Sequence, residues 1–228
     1  MPAKVCVFDA YGTLFDVSAA ARAAAGEPGG AALAESWPQL AALWRDKQLQ
    51  YTWLRTITGD HADFRQVTAE ALDHALDASG LDDADLRARL LALYDRLAAF
   101  PDVSGMLSAL TGAGRRCAIL SNGAPGMLRA AVASAGIGGY LDRVISVEEV
   151  GVFKPDPRVY DLVGQHFGTR PDEVLFVSAN GWDAAAAAGR GFASVWVNRA
   201  GAPLDRLPWR PSHVVTDLSA LPDLAARL

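Results

Sequence analysis

The strongest constraint on how this chain folds is a set of short apolar or β-branched runs, several of which stop abruptly at polar residues. Val5–Phe8, Cys117–Leu120, Val174–Val177 and Ala193–Val197 are continuous rather than alternating. That is the pattern of strands covered on both faces. Arg143–Val147 is a weaker run, and Val214–Val215 reads as an edge. Helical patterns lie between them. Val103–Ala113 places Met106, Leu107 and Leu110 on one face, Pro125–Ala135 places Met127, Leu128, Ala131 and Val132, and Pro157–Phe167 places Val159, Tyr160 and Val163. Strands alternating with helices predict an α/β fold on a parallel sheet.

Residues 16–99 break that rhythm. No strand run occurs there, and helical spacing recurs in three stretches: Leu40, Leu43, Trp44, Tyr51 and Leu54; Val67, Ala71, Leu72 and Leu76; and Leu86, Leu90, Leu93, Tyr94 and Leu97. Ala19–Ala34, rich in Ala and Gly, reads as a helix followed by a flexible loop. The expected organisation is a Rossmann-like core domain of residues 1–15 and 100–228, with an all-helical domain at 16–99 inserted after the first strand. At 228 residues and 24.1 kDa, such a chain buries about 70% of its unfolded surface and needs no disulfide or metal staple.

Several classes of protein are excluded. The net charge is −5 with no Lys/Arg run, which argues against a nucleic-acid partner. No stretch has the roughly 18 apolar residues of a membrane span. The first apolar run ends at Asp9, so no signal-peptide core is expected. Cys6 and Cys117 lie inside apolar runs and read as buried free thiols of a reducing compartment, hence a cytoplasmic protein. His61, His74, His166 and His213 are scattered without zinc-ligand spacing.

The chemistry is expected at the carboxyl edge of the sheet, where open α/β folds bind ligands. Asp9 follows Phe8, Ser121-Asn122-Gly123 follows Leu120, Ser178-Ala-Asn180-Gly-Trp182-Asp183 begins after Val177, and Lys154-Pro155 lies beyond the weak strand. In a parallel sheet all four meet on one rim. By itself, Asp9 is equally a turn former bonding the local backbone, and Lys154 is equally a solvated loop lysine. Facing Asp9 and Asp183, however, a cation would keep a carboxylate ionised and stabilise negative charge in a reaction.

These residues carry a resemblance. Asp9-Ala-Tyr-Gly-Thr13-Leu-Phe-Asp16, Ser121-Asn122-Gly123, Lys154-Pro155 and Ser178-Ala-Asn180-Gly-Trp182-Asp183 resemble, in order and spacing, the motifs of the haloacid dehalogenase superfamily over nearly the whole chain. Leu43-Trp44-Arg45-Asp46-Lys47-Gln48-Leu49-Gln50-Tyr51-Thr52-Trp53-Leu54-Arg55 is similar to the cap helix of the L-2-haloacid dehalogenases within it. The resemblance implies hydrolysis of short (S)-2-haloalkanoic acids to (R)-2-hydroxy acids and halide, without cofactor or metal, by a homodimer.

It also implies roles. Asp9 would attack the halogen-bearing carbon and form an ester. Arg45 would cradle the halide, with Asn122 and Trp182. Ser121 and Asn122 would hold the substrate carboxylate, and Thr13, Ser178 and Lys154 would orient Asp9. Asn180 and Asp183 would place and activate the hydrolytic water, with Tyr160 supporting Lys154 and Asp183. Tyr11, Leu49, Phe64 and Trp182 would line the alkyl pocket. Taken singly, Arg45 is also a plausible solvated helix residue, and Leu49, Phe64, Tyr160 and Trp182 are plausible core.

Two rival readings stand beside this one. A metal-dependent phosphatase of the same superfamily would carry a second Asp where Tyr11 stands, and an acidic pair where Ala179, Asn180 and a lone Asp183 stand. A non-catalytic binder of small carboxylates would not keep two rim carboxylates. Two departures from the dehalogenase pattern are Asp46, where Gln is expected, and Ala179, where a second Ser is common. Asp46 would either weaken the halide cradle or pair with Arg45.

Overall fold

The computed structural model describes residues 3–27 and 33–228. Its centre is a six-stranded sheet of order β3-β2-β1-β4-β5-β6, every pairing parallel. The strands are β1 (Val5–Phe8), β2 (Arg116–Ser121), β3 (Arg143–Ser146), β4 (Val174–Ser178), β5 (Ala193–Val197) and β6 (His213–Val215). The continuous apolar runs are the buried strands: β1 and β4 are covered along their whole length, and β2 everywhere but Arg116. At the edge, β6 leaves Val214 exposed. This α/β, Rossmann-like architecture is the one expected from the alternation.

Among the described residues, β1 is followed by four α-helices within 16–99, before α5 leads into β2: α1 (Ala19–Gly26), α2 (Trp37–Thr58), α3 (Phe64–Ala78) and α4 (Ala84–Tyr94). They pack on one another, α2 against α3, α1 against α4 and α2, and α3 against α4. Most of the loop expected after α1 lies outside the described residues. Asp63 and Asp83 cap α3 and α4 by accepting the N–H groups of Gln66 and Leu86. Helices α5 (Val103–Gly112), α6 (Pro125–Ser134), α7 (Pro157–Phe167), α8 (Gly181–Gly189) and α9 (Leu221–Arg227) complete the layers about the sheet.

The stripe expected for α2 needs correction. Its buried residues are Leu40, Ala41, Trp44, Gln48 and Thr52, while Leu54 is exposed and Leu43 and Tyr51 only half-buried. Two polar side chains occupy the inward face, so the apolar periodicity points to its flank. Cys6 and Cys117 are buried free thiols. Burial pushes them up to about 11 and about 12 respectively, which keeps both protonated and unreactive. No described helix is long and apolar enough to cross a membrane.

Candidate active site

The sheet order reverses between β1 and β4, and Asp9 lies just past the end of β1 at that point. Its N–H donates to the Val177 carbonyl at 2.9 Å, extending the ladder by one residue. The chain then turns through Gly12, whose φ of +89° is readily adopted only by glycine. This turn brings Thr13 back over Asp9. The Thr13 hydroxyl donates to Asp9 Oδ2 at 2.9 Å and accepts the Ala179 N–H at 2.7 Å.

Three segments converge on the Asp9 carboxylate, which is 6% exposed. Oδ2 also accepts from Asn180 Nδ2 at 2.9 Å, and Oδ1 accepts from Lys154 Nζ at 3.2 Å. Lys154 is 1% exposed and donates to Asp183 Oδ2 at 2.9 Å as well. Asp183, fully buried in the first turn of α8, accepts the Tyr160 hydroxyl on Oδ1 at 2.7 Å. Burial alone would push Lys154 down, but Asp183 and then Asp9 outweigh it, so the ammonium sits above the ordinary lysine value. Burial raises Asp183, against the pull of Lys154. Tyr160 is held well above the phenol range by burial and then by Asp183. The result is a carboxylate–ammonium–carboxylate relay whose cation stays charged.

Local contacts explain why Lys154 reaches this point. Its N–H donates to Asn122 Oδ1 at 2.9 Å, and the Phe153 N–H donates to Thr56 Oγ1 on α2 at 3.1 Å. The lysine loop is thus pinned to the end of β2 on one side and to the helical insertion on the other. Ser121 and Asn122 are buried at the end of β2. Ser121 Oγ accepts the Gly123 N–H at 3.1 Å. Gly123 is required by a close approach, because a Cβ there would stand 2.7 Å from the Tyr11 ring.

Arg45 enters from α2. Its Nη2 donates to the Tyr11 carbonyl at 3.2 Å and to Asn180 Oδ1 at 3.3 Å, and its Nη1 donates to Gln48 Oε1 at 2.7 Å. Asn180 therefore bridges Asp9 and Arg45. A small cavity is lined by Asp9, Tyr11, Arg45, Leu49, Phe64, Ser121, Asn122, Lys154, Asn180 and Trp182. Tyr11 packs against Phe64 and Tyr94 with ring centroids 5.3 and 5.5 Å apart. Burial, with Tyr94 and Asp95 adding, holds its hydroxyl well above the ordinary phenol value, so Tyr11 is a neutral wall. Trp182 also borders a larger apolar groove with Trp53, Ile57, Leu207 and Trp209.

Most residues singled out in the sequence meet here. Thr13, Tyr160 and Asp183 do not line the cavity: Thr13 holds Asp9 and Asp183 holds Lys154, both of which do, and Tyr160 holds Asp183. Ser178 is buried, and its Oγ accepts the Asn180 N–H at 3.1 Å, so its recorded partner is Asn180 and not Asp9. Asp46 is exposed, and Arg45 is held by Gln48, Tyr11 and Asn180, so the alternative of an Asp46–Arg45 pair is not realised. Gln48, Thr68 and Tyr94 were missed. Their signal was faint: Gln48 lies four residues from both Trp44 and Thr52 on the buried stripe of α2. Among the described residues, no group of three or more His, Cys, Asp or Glu side chains is placed to hold a metal ion.

A doubly wound parallel sheet with a buried, cation-paired aspartate at its switch point is the arrangement of a Rossmann-like hydrolase. Residues 3–191 match the haloacid dehalogenase-like hydrolase family, and the chain belongs to it. It is 46% identical over 228 residues, covering 100% of this chain and 98% of the relative, to (S)-2-haloacid dehalogenase 1 of Pseudomonas sp. (strain CBS-3). It is 42% identical over 225 residues, 98% of this chain and 95% of the relative, to (S)-2-haloacid dehalogenase 4A of Burkholderia cepacia. Among solved structures it resembles the L-2-haloacid dehalogenase of Xanthobacter autotrophicus with chloropropionic acid covalently bound. There the TM-score is 0.88 and the identity 40%, over 98% of each chain.

Proposed function

We propose that this enzyme hydrolyses short (S)-2-haloalkanoic acids to (R)-2-hydroxyalkanoic acids and halide through an ester on Asp9. The observation that carries this reading is the fixed Asp9 carboxylate. Among the described residues, Oδ2 accepts two hydrogen bonds and Oδ1 only that from Lys154, which leaves Oδ1 the freer lone pair for attack. The kinship with (S)-2-haloacid dehalogenases, and the covalent chloropropionate of one relative, support the same route.

In this reading Oδ1 attacks Cα in line, the carbon–halogen bond breaks, and the halide leaves with its electron pair beside Arg45, Asn122 and Trp182. Ser121 and Asn122 hold the substrate carboxylate, while Tyr11, Leu49, Phe64 and Trp182 take the alkyl group. Attack from the far side inverts Cα. Asn180 and Asp183 then place a water and draw its proton, and its oxygen attacks the carboxyl carbon of Asp9. The bond broken is the one from that carbon to the ester oxygen, formerly Oδ1, which leaves as the product hydroxyl, so Cα is untouched and the (R) product departs, with one proton released overall. Residues 16–99 would act as a cap that excludes water from the displacement over a core of 1–15 and 100–228. A homodimer and a cytoplasmic location belong to the same reading. They rest respectively on the family resemblance and on the two buried thiols.

The test has two parts. Halide should be released from (S)-2-chloropropionate and not from the (R) enantiomer. A single turnover in ¹⁸O water with enzyme in excess should then give unlabelled 2-hydroxy acid and one ¹⁸O on Asp9, read by peptide mass. Label in the product with none on Asp9 would mean that water attacks Cα directly and would refute the ester.

A further inference from the structure

The face of α2 turned away from solvent carries a polar residue that the reaction scheme does not use. Gln48 is 1% exposed, and all of its amide is engaged. Oε1 accepts from Arg45 Nη1 at 2.7 Å, and Nε2 donates to Thr68 Oγ1 at 2.7 Å and to the Tyr94 hydroxyl at 3.1 Å. The Tyr94 hydroxyl also lies 3.3 Å from Oε1 as a donor. A glutamine amide can flip, but this one is fixed by its neighbours. Arginine only donates, so the oxygen must face it. The Thr68 hydroxyl spends its proton on the Phe64 carbonyl at 2.6 Å, so it must accept from the nitrogen. Trp44 Nε1, donating to the Thr68 carbonyl at 2.8 Å, ties the same turn of α3 to α2.

We propose that Gln48 is a positioning residue for the displacement step: it presents a fixed acceptor that aims the Arg45 guanidinium at the departing halide. The proposal rests on the role given to Arg45 above. It adds a buried hub, Gln48–Thr68–Tyr94, through which three helices set one cation. The chain of bonds runs from that hub through Arg45 and Asn180 to Asp9, so the group that would receive the halide and the group that would attack Cα are tied to each other. An uncharged acceptor suits this task. A carboxylate in its place would also hold Arg45 but would take up the charge that the halide needs.

The experiment compares Gln48→Met, Gln48→Glu, Arg45→Ala and the double variant Gln48→Met/Arg45→Ala. The readouts are kcat and KM on (S)-2-chloropropionate, bromide affinity by equilibrium titration, and thermal midpoint. A hydrogen bond to a charged group is worth enough for Gln48→Met to lower kcat and bromide affinity about tenfold. KM should change little, because Ser121 and Asn122 are untouched. Gln48→Glu keeps an acceptor towards Arg45 but gives up the Nε2 donor to Thr68, so its thermal midpoint should fall, while bromide affinity should drop at least as strongly as in Gln48→Met. In the Arg45→Ala background the Gln48→Met effect should vanish. The same fold-loss with and without Arg45, or unchanged bromide affinity in Gln48→Glu, would overturn the proposal. The bromide titration needs no turnover, so failure of the wild type to release chloride would refute the proposed function and leave this test readable.

Discussion

Removal of Lys154 offers the sharpest test of the site's electrostatics. The ammonium is the cation shared by two buried carboxylates, at 3.2 Å from Asp9 and 2.9 Å from Asp183. Lys154→Met keeps the length and apolar bulk of the stem and deletes the charge. Breaking a buried pair by removing one partner costs about 3–5 kcal/mol, because the remaining charge is uncompensated. For a chain of this size that lowers the thermal midpoint by roughly 6–20 °C. The protein can relieve the cost by protonating Asp183, whose pKa burial already raises and which would lose the lysine that now opposes that rise. The folded state would then hold more protons than the unfolded chain from about pH 4 upward to the new value, so the variant loses stability as pH rises through that window. Thermal unfolding from pH 4 to 9 should show this slope in Lys154→Met and a flatter profile in the wild type. Lys154→Met/Asp183→Asn, which removes the surplus carboxylate, should recover most of the loss at pH 8. A loss below about 1 kcal/mol, or no recovery in the double variant, would refute the relay as a coupled charged unit.

Other outcomes follow from the same geometry. Turnover should persist in excess EDTA, since Tyr11 stands where a metal-dependent relative would carry a second Asp, and Ala179 and Asn180 stand where it would carry an acidic pair; activity lost to EDTA and restored by magnesium would revive the phosphatase reading. Asp46→Gln should change KM and the product-halide inhibition constant by no more than about twofold, because an exposed side chain away from such features is worth little; a clear fall in either constant would mean that Asp46 does act on Arg45. The stabilisation from Lys154 should be fully present up to the ordinary lysine value of 10.5 and fade only as pH climbs through its higher folded value. A thermal-midpoint series should place the lysine-dependent loss above that point, and a loss centred below pH 10 would contradict it.

How far the sequence could be read depended on whether a residue's role was local. Continuous apolar runs mark strands covered on both faces, so β1 and β5 begin and end where the runs do. Polar residues directly after those runs had to lie on one rim once the sheet was parallel, so Asp9, Ser121, Asn122 and Ser178 were legible together. Helix α8 was not separately anticipated, since its alanine run carries no apolar stripe. Gln48 escaped for a different reason. Its burial follows from three helices meeting, and in the sequence it is one polar residue among several in a charged stretch of α2. The same tertiary origin hid Tyr94, which has apolar spacing but whose hydroxyl turns to Gln48. The resemblance to dehalogenases supplied the role of Arg45, which spacing alone leaves as a solvated arginine.

The way Asp9 and Arg45 are held separates two functions that stability alone would not require. A carboxylate serving only a turn needs one local partner, and Thr13 would suffice. Asp9 instead takes donors from its own turn, from the residue capping α8 and from the loop after β3, the last two brought by distant parts of the chain. Burying such charges contributes little net stability, but three directions of approach fix the orientation of the carboxylate, which is what speeds an in-line displacement. Arg45 differs in its dependence. Its three acceptors come from α2 itself, from the turn after β1 and from the residue capping α8. Moving α2 off the sheet edge would break the contacts to Tyr11 and Asn180 and the Phe153–Thr56 hydrogen bond, while the bonds among Asp9, Lys154 and Asp183 themselves involve no residue of α2. The nucleophile is thus set by the core sheet and the halide cradle by the helices over it. The contacts that hold the halide cradle therefore depend on where α2 lies, and those among Asp9, Lys154 and Asp183 do not.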